Sequence, residues 1–326
     1  MHQLAQLLVS QLKNSGKREA AAAADMAKRS SVPVIDMQDL SGLAEKIVKA
    51  CEEWGCFRLV NHGVPMELMA EMKGVTRSLM DLPMEIKQKN SHPEPGKGYT
   101  PPNMASPYFE GLSLYDMTSP GAFDHFCSQI DASPHQMEVL EKYAFALYDL
   151  AQLLGSKLME GLGLSGELFK GWPCQLKMNK YNYSPETVGL TGAVMHTDPG
   201  FLTILQDDEV VNGLEAVDEI TGELVSVDPI PGTLVVNVGD VATVWSNGRF
   251  HNVKHRVQCY ESTDRISISF FALAPKDEKV EAAAELVDSD HPRRYLPFHF
   301  EEYRKLRVSK RSGNGEALEL FSTKNF

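Results

Sequence analysis

Several things are scarce in this chain of 326 residues. Only five cysteines occur, at 51, 56, 127, 174 and 259, and none of them form a C-x-x-C pair or a zinc-ribbon pattern. That argues against a redox motif, a structural zinc site or a disulfide framework, and reduced thiols in a reducing compartment, the cytoplasm, are expected. No apolar run approaches the ~20 residues of a membrane span. No charged start precedes a long apolar stretch, as a secretory signal would require. Positive charge is short as well: 32 Lys and Arg against 44 Asp and Glu leave a net charge of −12. A general nucleic-acid surface or an anionic membrane partner does not suit that balance.

What is present fits a soluble globular chain, with 43% hydrophobic and 23% charged residues. The length allows one large domain or two closely joined ones. The first 30 residues differ from the rest. They carry Leu4, Leu7, Leu8 and Leu12 at helical spacing, then an alanine run at 20–24. A poorly ordered extension is expected there, or an alternative start at Met26.

Apolar periodicity predicts helices over 38–55, 65–90 and 134–163, with strands at 32–37 and 56–63. The stretch 91–124 has six Pro and four Gly and is expected to be a loop region lining or covering a site. From residue 174 short strands alternate with turn pairs such as Asn212-Gly213, Pro231-Gly232 and Asn247-Gly248. The expected fold is mainly β with flanking helices, a jelly roll closed by a terminal helix at 297–311. An N-terminal region at 31–130 would then precede a core region at 131–326.

The most telling residues are His196, Asp198 and His255, an H-x-D pair and a distant His. On a strand, residues two apart point the same way, so one imidazole and one carboxylate would share a side. A second imidazole completes a facial triad that suits Fe(II) and leaves positions open for chemistry. Zinc accepts such ligands too. His251 also competes formally with His255. On a strand the two would share a face. Arg265-Ile266-Ser267 adds a guanidinium fork and a hydroxyl on one strand face, a fitting anchor for the far end of a dicarboxylate. Asp240, after Asn-Val-Gly, is expected to be a turn acid, and His62 to hold a turn. His2, His92, His125, His135, His291 and His299 are expected on the surface or at caps.

Read together, SVPVIDM (31–37), EEWGCFRLVNHGVP (52–65), MNKY (178–181), HTDPGFLTIL (196–205), NVGD (237–240), SNGRFHNVKHRV (246–257) and RISISFF (265–271) resemble the plant 2-oxoglutarate- and Fe(II)-dependent dioxygenase family. The family implies a distorted double-stranded β-helix with the metal at its open mouth. It implies Fe(II) on His196, Asp198 and His255, with 2-oxoglutarate and O2 as co-substrates and ascorbate as supporting reductant. It also implies that Tyr181 and Asn179 assist Arg265 and Ser267 in holding 2-oxoglutarate, and that favours His255 over His251. One departure is that Asn182, Tyr183, Ser184 and Pro185 replace the frequent Pro-Pro-Cys after Tyr181.

At finer grain GWPCQLKMNKY (171–181), NGLEAVD (212–218) and ATVWSNGRFHNVKHRVQC (242–259) are similar to the auxin-oxidising branch of that family. That branch implies indole-3-acetic acid as small-molecule substrate and 2-oxindole-3-acetic acid as product. A flat aromatic acid calls for aromatic walls, and Tyr99, Phe109, Phe201, Trp245 and Phe271 are the candidates, with Tyr108 beside them. No residue suggests itself for the substrate carboxylate. A monomer or a homodimer is expected. The alternatives are a gibberellin or flavonoid oxidase of the same family, a zinc hydrolase on the same triad, and a non-catalytic jelly-roll binding protein.

Overall fold

The computed structural model describes residues 31–104, 106–310 and 313–325, so the expected N-terminal extension lies outside the described residues. In chain order the elements are β1 (Val34–Asp36), α1 (Leu43–Glu53), β2 (Cys56–Val60), α2 (Met66–Met80), α3 (Met84–Lys87), β3 (Phe109–Leu114), α4 (Ala122–Gln129) and α5 (Pro134–Gly161). Then follow β4 (Cys174–Tyr181), β5 (Thr191–His196), β6 (Leu202–Gln206), β7 (Leu214–Val217), β8 (Leu224–Ser226), β9 (Leu234–Val238), α6 (Asp240–Trp245), β10 (His255–Gln258), β11 (Arg265–Ala272), α7 (Phe300–Lys310) and α8 (Glu316–Glu319).

The strands form two facing sheets of a jelly roll. The larger runs β1-β2-β9-β6-β11-β4-β3 and the smaller β5-β10-β7-β8. Pairing is antiparallel except between β1 and β2. Alternation along β11 sorts its side chains. Ile268, Phe270 and Ala272 join the core under the helices, with Ile266 buried on the same face, whereas Arg265, Ser267, Ser269 and Phe271 face the space between the sheets. β4 repeats this pattern, with Leu176 and Met178 inward and Lys177, Asn179 and Tyr181 on the other face. β1, β2 and β3 lie at the two edges of the larger sheet, and its centre comes from later strands.

Helix α5 closes the outer face. Ser133 caps it, accepting from the Gln136 backbone while the Gln136 side chain accepts from the Ser133 N–H, and Pro134 occupies the first turn. Its stripe of Val139, Leu140, Tyr143, Leu147, Leu150, Leu154 and Leu158 is buried. Each such apolar side chain contributes roughly 1.5–3 kcal/mol relative to exposure.

Three expectations need correction, and the competing reading of His251 is set aside. The helical stretch 65–90 is two helices, because Pro83 cannot continue α2 and instead opens α3. The loop at 91–124 contains β3 and the start of α4, and β3 is held on both sides by β4 and by the Thr100–Gly111 bridge. His251 is exposed and outside any strand, its N–H bound to the Cys51 carbonyl, so it does not share a face with His255. Asp240 opens a short helix and is fully buried, where a turn acid would be solvated. All five cysteines are buried and free. No helix among the described residues is long and apolar enough to cross a membrane.

Candidate active site

A cavity of about 260 Å³ lies between the two sheets. His196 ends β5, and His255 begins β10 directly opposite it in the register. Asp198 lies just past the strand end, in the turn that leads to β6. The ligating atoms of the three all lie within 4.8 Å of one another. Asp198 Oδ1 is 3.8 Å from His196 Nε2 and 3.9 Å from His255 Nε2.

Neighbours set the chemistry of these groups. His196 Nδ1 faces the Val194 carbonyl at 2.8 Å, and His255 Nδ1 that of Val253 at 3.2 Å. A carbonyl oxygen only accepts, so each ring carries its proton on Nδ1 and turns a bare Nε2 toward Asp198. Burial, reinforced by His255, lowers His196 to about 4, which keeps it neutral near pH 7. Burial works against charge on Asp198 too, but both imidazoles and the Thr203 hydroxyl, donating to Oδ2 at 2.5 Å, hold its carboxyl below the ordinary range. Two neutral imidazoles and one carboxylate form a donor set for a divalent ion, with one side open to the cavity.

The turn at Asp198 is clamped from behind. Gly239 lets its strand end approach closely: a Cβ there would collide with the Gly200 carbonyl and come within 2.8 Å of the Asp198 oxygen. The Asp240 N–H then donates to the Asp198 carbonyl at 2.8 Å. The Asp240 carboxylate accepts from Asn252 and from the Tyr303 hydroxyl, both at 2.6 Å, and from Arg307. Arg307 also donates to the Thr197 carbonyl at 2.7 Å, so α7 grips the residue between His196 and Asp198.

At the far end of the cavity Arg265 is 1% exposed. One terminal nitrogen donates to Asp207, while its Nε and other terminal nitrogen have no hydrogen-bond partner. Its guanidinium lies 5.0 Å from the Tyr181 ring centroid, and β4 sets Tyr181 opposite Arg265 and Asn179 opposite Ser267. Asn179 donates to Ser269 at 3.3 Å, and its own carbonyl oxygen is unpartnered.

Three comparisons bear on this arrangement. Residues 32–116 match the family described as non-haem dioxygenase in morphine synthesis, N-terminal, and residues 172–274 match the 2OG-Fe(II) oxygenase superfamily. A 2-oxoglutarate-dependent dioxygenase DAO of Oryza sativa subsp. japonica is 49% identical over 292 residues, covering 88% of this chain and 97% of that one. The chain belongs to the 2-oxoglutarate- and Fe(II)-dependent oxygenases. Among solved structures, the rice dioxygenase for auxin oxidation (DAO) superposes with a TM-score of 0.82 at 48% identity, covering 90% of this chain and all of that one. The 2-oxoglutarate complex of Arabidopsis thaliana dioxygenase for auxin oxidation 1 gives 0.78 at 52%, covering 80% and 100%. Jasmonate-induced oxygenase 4 of Arabidopsis thaliana is 32% identical, over 84% of this chain and 81% of that one.

The residues of this oxygenase suit the groups its family uses. The His–Asp–His donors match ferrous iron. The two buried, unpartnered donors on Arg265 match a carboxylate, which needs such a fork to compensate burial.

The aromatic expectations divide. Phe109 and Phe271 line the cavity. Phe201 and Trp245 do not: they belong to an aromatic cluster with Phe169 and Trp172, at ring separations of 5.0–5.8 Å. Phe201 sits in the turn before β6 and Trp245 ends α6, so nearness in sequence to the triad does not aim them at it. Tyr99 packs against the helix-side core and donates to Glu110 at 2.8 Å, and Tyr108 serves through its backbone carbonyl, which accepts from Asn182. His62 spans a turn as expected, with Nδ1 accepting from Val64 and Nε2 near the Gly232 carbonyl. His92, His125, His135, His291 and His299 are exposed, and His2 lies outside the described residues. Sequence reasoning missed Asp207, Thr203, Arg307 and Lys177, all of which contact or line the site.

Proposed function

We propose that this dioxygenase oxidises indole-3-acetic acid to 2-oxindole-3-acetic acid, converting 2-oxoglutarate and O2 to succinate and CO2 as it does so. The observation that carries the reading is a cavity with an open His–Asp–His face at one end and two unpartnered Arg265 donors at the other. The naming of two relatives as dioxygenases for auxin oxidation supports the choice of substrate.

In this reading His196, Asp198 and His255 hold Fe(II), which supplies O2 activation and oxidative cleavage of 2-oxoglutarate when bound. Arg265, Ser267 and Tyr181 hold the far carboxylate of 2-oxoglutarate, with Asn179 positioning Ser267. Thr203 fixes the Asp198 carboxylate, and the two backbone carbonyls fix the imidazoles, so the donors are oriented before the ion arrives. Phe109 and Phe271 present an apolar surface to the indole and help exclude water. Ascorbate acts only to keep the iron reduced.

The test is succinate release from 2-oxoglutarate with Fe(II) and ascorbate, with and without indole-3-acetic acid. Release that rises severalfold with the auxin supports the reading. Release that ignores the auxin but rises with a gibberellin or a flavonoid moves the substrate to the other branches of the family.

A further inference from the structure

Among the described residues, one cation lining the cavity makes no hydrogen bond or ion pair. Lys177 lies on β4 two residues before Asn179, on the same face, opposite Ser113 of β3 and Ser269 of β11. Its half-buried side chain lines the cavity. Among the described residues its ammonium makes no hydrogen bond or ion pair, and it lies over the Phe109 ring, 5.0 Å from Nζ to centroid. Other lysines buried in this chain are treated differently. Lys87 donates to Glu110 at 2.6 Å and to the Met80 carbonyl at 2.7 Å, and Lys97 pairs with Glu94 and with Glu301 at 3.0 Å. Lys180, on the opposite face of β4, reaches Asp81 at 2.6 Å.

The neighbouring strand makes room for Lys177. A Cβ on Gly111 would lie 2.9 Å from Lys177 Cε and 3.2 Å from Asn179 Oδ1. Glycine in the middle of a strand costs stability, and a close approach of this kind is one reason to carry it. The backbone of Lys177 is distant from Arg265, while its ammonium extends along β3 to Phe109, the ring that packs on Tyr181. The register partner of Lys177, Ser269, is four residues along β11 from Arg265, a span of roughly 13 Å. Burial lowers the Lys177 ammonium to about 8, against the pull of Asp198, so near pH 7 it is still mostly charged.

We infer that Lys177 receives the carboxylate of the aromatic acid that this dioxygenase oxidises. The inference rests on the reading of the substrate as indole-3-acetic acid and supplies the cationic partner that such a substrate needs. Phe109 and Phe271, the cavity-facing residues beside Lys177 and Ser269, flank the ring, and the acid's side chain reaches Lys177. The charge ledger of the cavity agrees: Arg265 already has Asp207, whereas Lys177 has no acid of its own. A ligand carboxylate gives the buried ammonium the charge-assisted hydrogen bond it lacks.

The experiment measures anaerobic calorimetric binding of indole-3-acetate and of its neutral methyl ester to the Fe(II)- and 2-oxoglutarate-loaded enzyme. Wild type, Lys177→Met and Lys177→Arg are compared, with 2-oxoglutarate affinity measured for each as the check of fold. Lys177→Met should weaken the acid roughly ten- to hundredfold, the size of a lost charge-assisted hydrogen bond, and leave the ester and 2-oxoglutarate within a factor of a few. Lys177→Arg should recover part of the loss. KM for the acid should follow the same pattern. Equal weakening of acid and ester, or a loss confined to 2-oxoglutarate, overturns the assignment and leaves the substrate reading intact. If Lys177→Met binds neither 2-oxoglutarate nor either auxin compound, the variant has lost its fold and Lys177→Arg alone decides: retained preference for acid over ester supports the assignment, and its absence overturns it. A wild-type enzyme that binds neither compound overturns the substrate reading, and the Lys177 assignment with it.

Discussion

The Arg265 corner and the Lys177 corner face the same cavity from neighbouring strands, yet they are built differently. Arg265 stands between Tyr181, Ser267 and Asp207, with its orientation fixed by an ion pair and a ring. Lys177 stands against a single aromatic ring, on the strand that borders the edge strand β3. The first corner is tied by an ion pair and takes Arg265 and Ser267 from β11 and Tyr181 from β4. The second depends on β3, on Gly111 and on the loop before them. A co-substrate shared across a family suits a fixed anchor, and a substrate that differs between members suits a corner whose edge can change.

Variants can break this contrast at several points. The largest effect is expected at the triad that both corners serve. Asp198→Ala should lower turnover by at least ~10³-fold and abolish stoichiometric Fe(II) binding, because a facial triad has no spare ligand. His251→Ala should leave metal content and turnover unchanged, since that side chain is exposed and outside the site. Iron analysis of the purified variants checks both. Next comes Arg265→Gln, expected to raise KM for 2-oxoglutarate by roughly two orders of magnitude through loss of the charged fork. It should not alter the preference for acid over ester. Lys177→Met is expected to do the reverse, and a shared response would collapse the two corners into one.

A smaller effect concerns what supports β3. Glu110 points away from the cavity, and burial opposes its charge, but Lys87, Tyr99 and Asn182 hold its carboxyl below the usual range. A depressed carboxyl stabilises the fold above its unfolded value, and that contribution is lost as pH falls through the folded value. Lys87→Met leaves the carboxylate buried without its cation and should cost about 3–5 kcal/mol near pH 7. The cost should shrink as pH falls from 7, because without Lys87 burial raises the Glu110 carboxyl, which then takes up a proton before the wild-type one does. Thermal unfolding of wild type and variant between pH 4 and 7 tests this, and a pH-independent difference would refute it.

The sequence made the metal end legible because its signals are local or periodic. His196 and Asp198 are two apart, and R-I-S lies on an alternating strand, so direction could be read from spacing. Where direction depends on tertiary context the reading failed. Phe201 and Trp245 are close to the triad in sequence, but a turn and a short helix aim them into the aromatic core. Strand β3 was hidden because Gly111 and the surrounding prolines resemble a loop, although that glycine is what admits Lys177. Asp240 looked like a turn acid because its partners Tyr303 and Arg307 come 63 and 67 residues later. Lys177 looked like any pleat residue, and only the pairing of β3 beside it reveals a cation without a partner.

The most direct test of the central claim is turnover of indole-3-acetic acid under 18O2 with Fe(II) and 2-oxoglutarate, with succinate and product weighed together. The account predicts one heavy oxygen in succinate and one in an oxindole acid, formed in equal amounts. Unlabelled succinate with no oxidised auxin, from folded and iron-loaded enzyme, would contradict it.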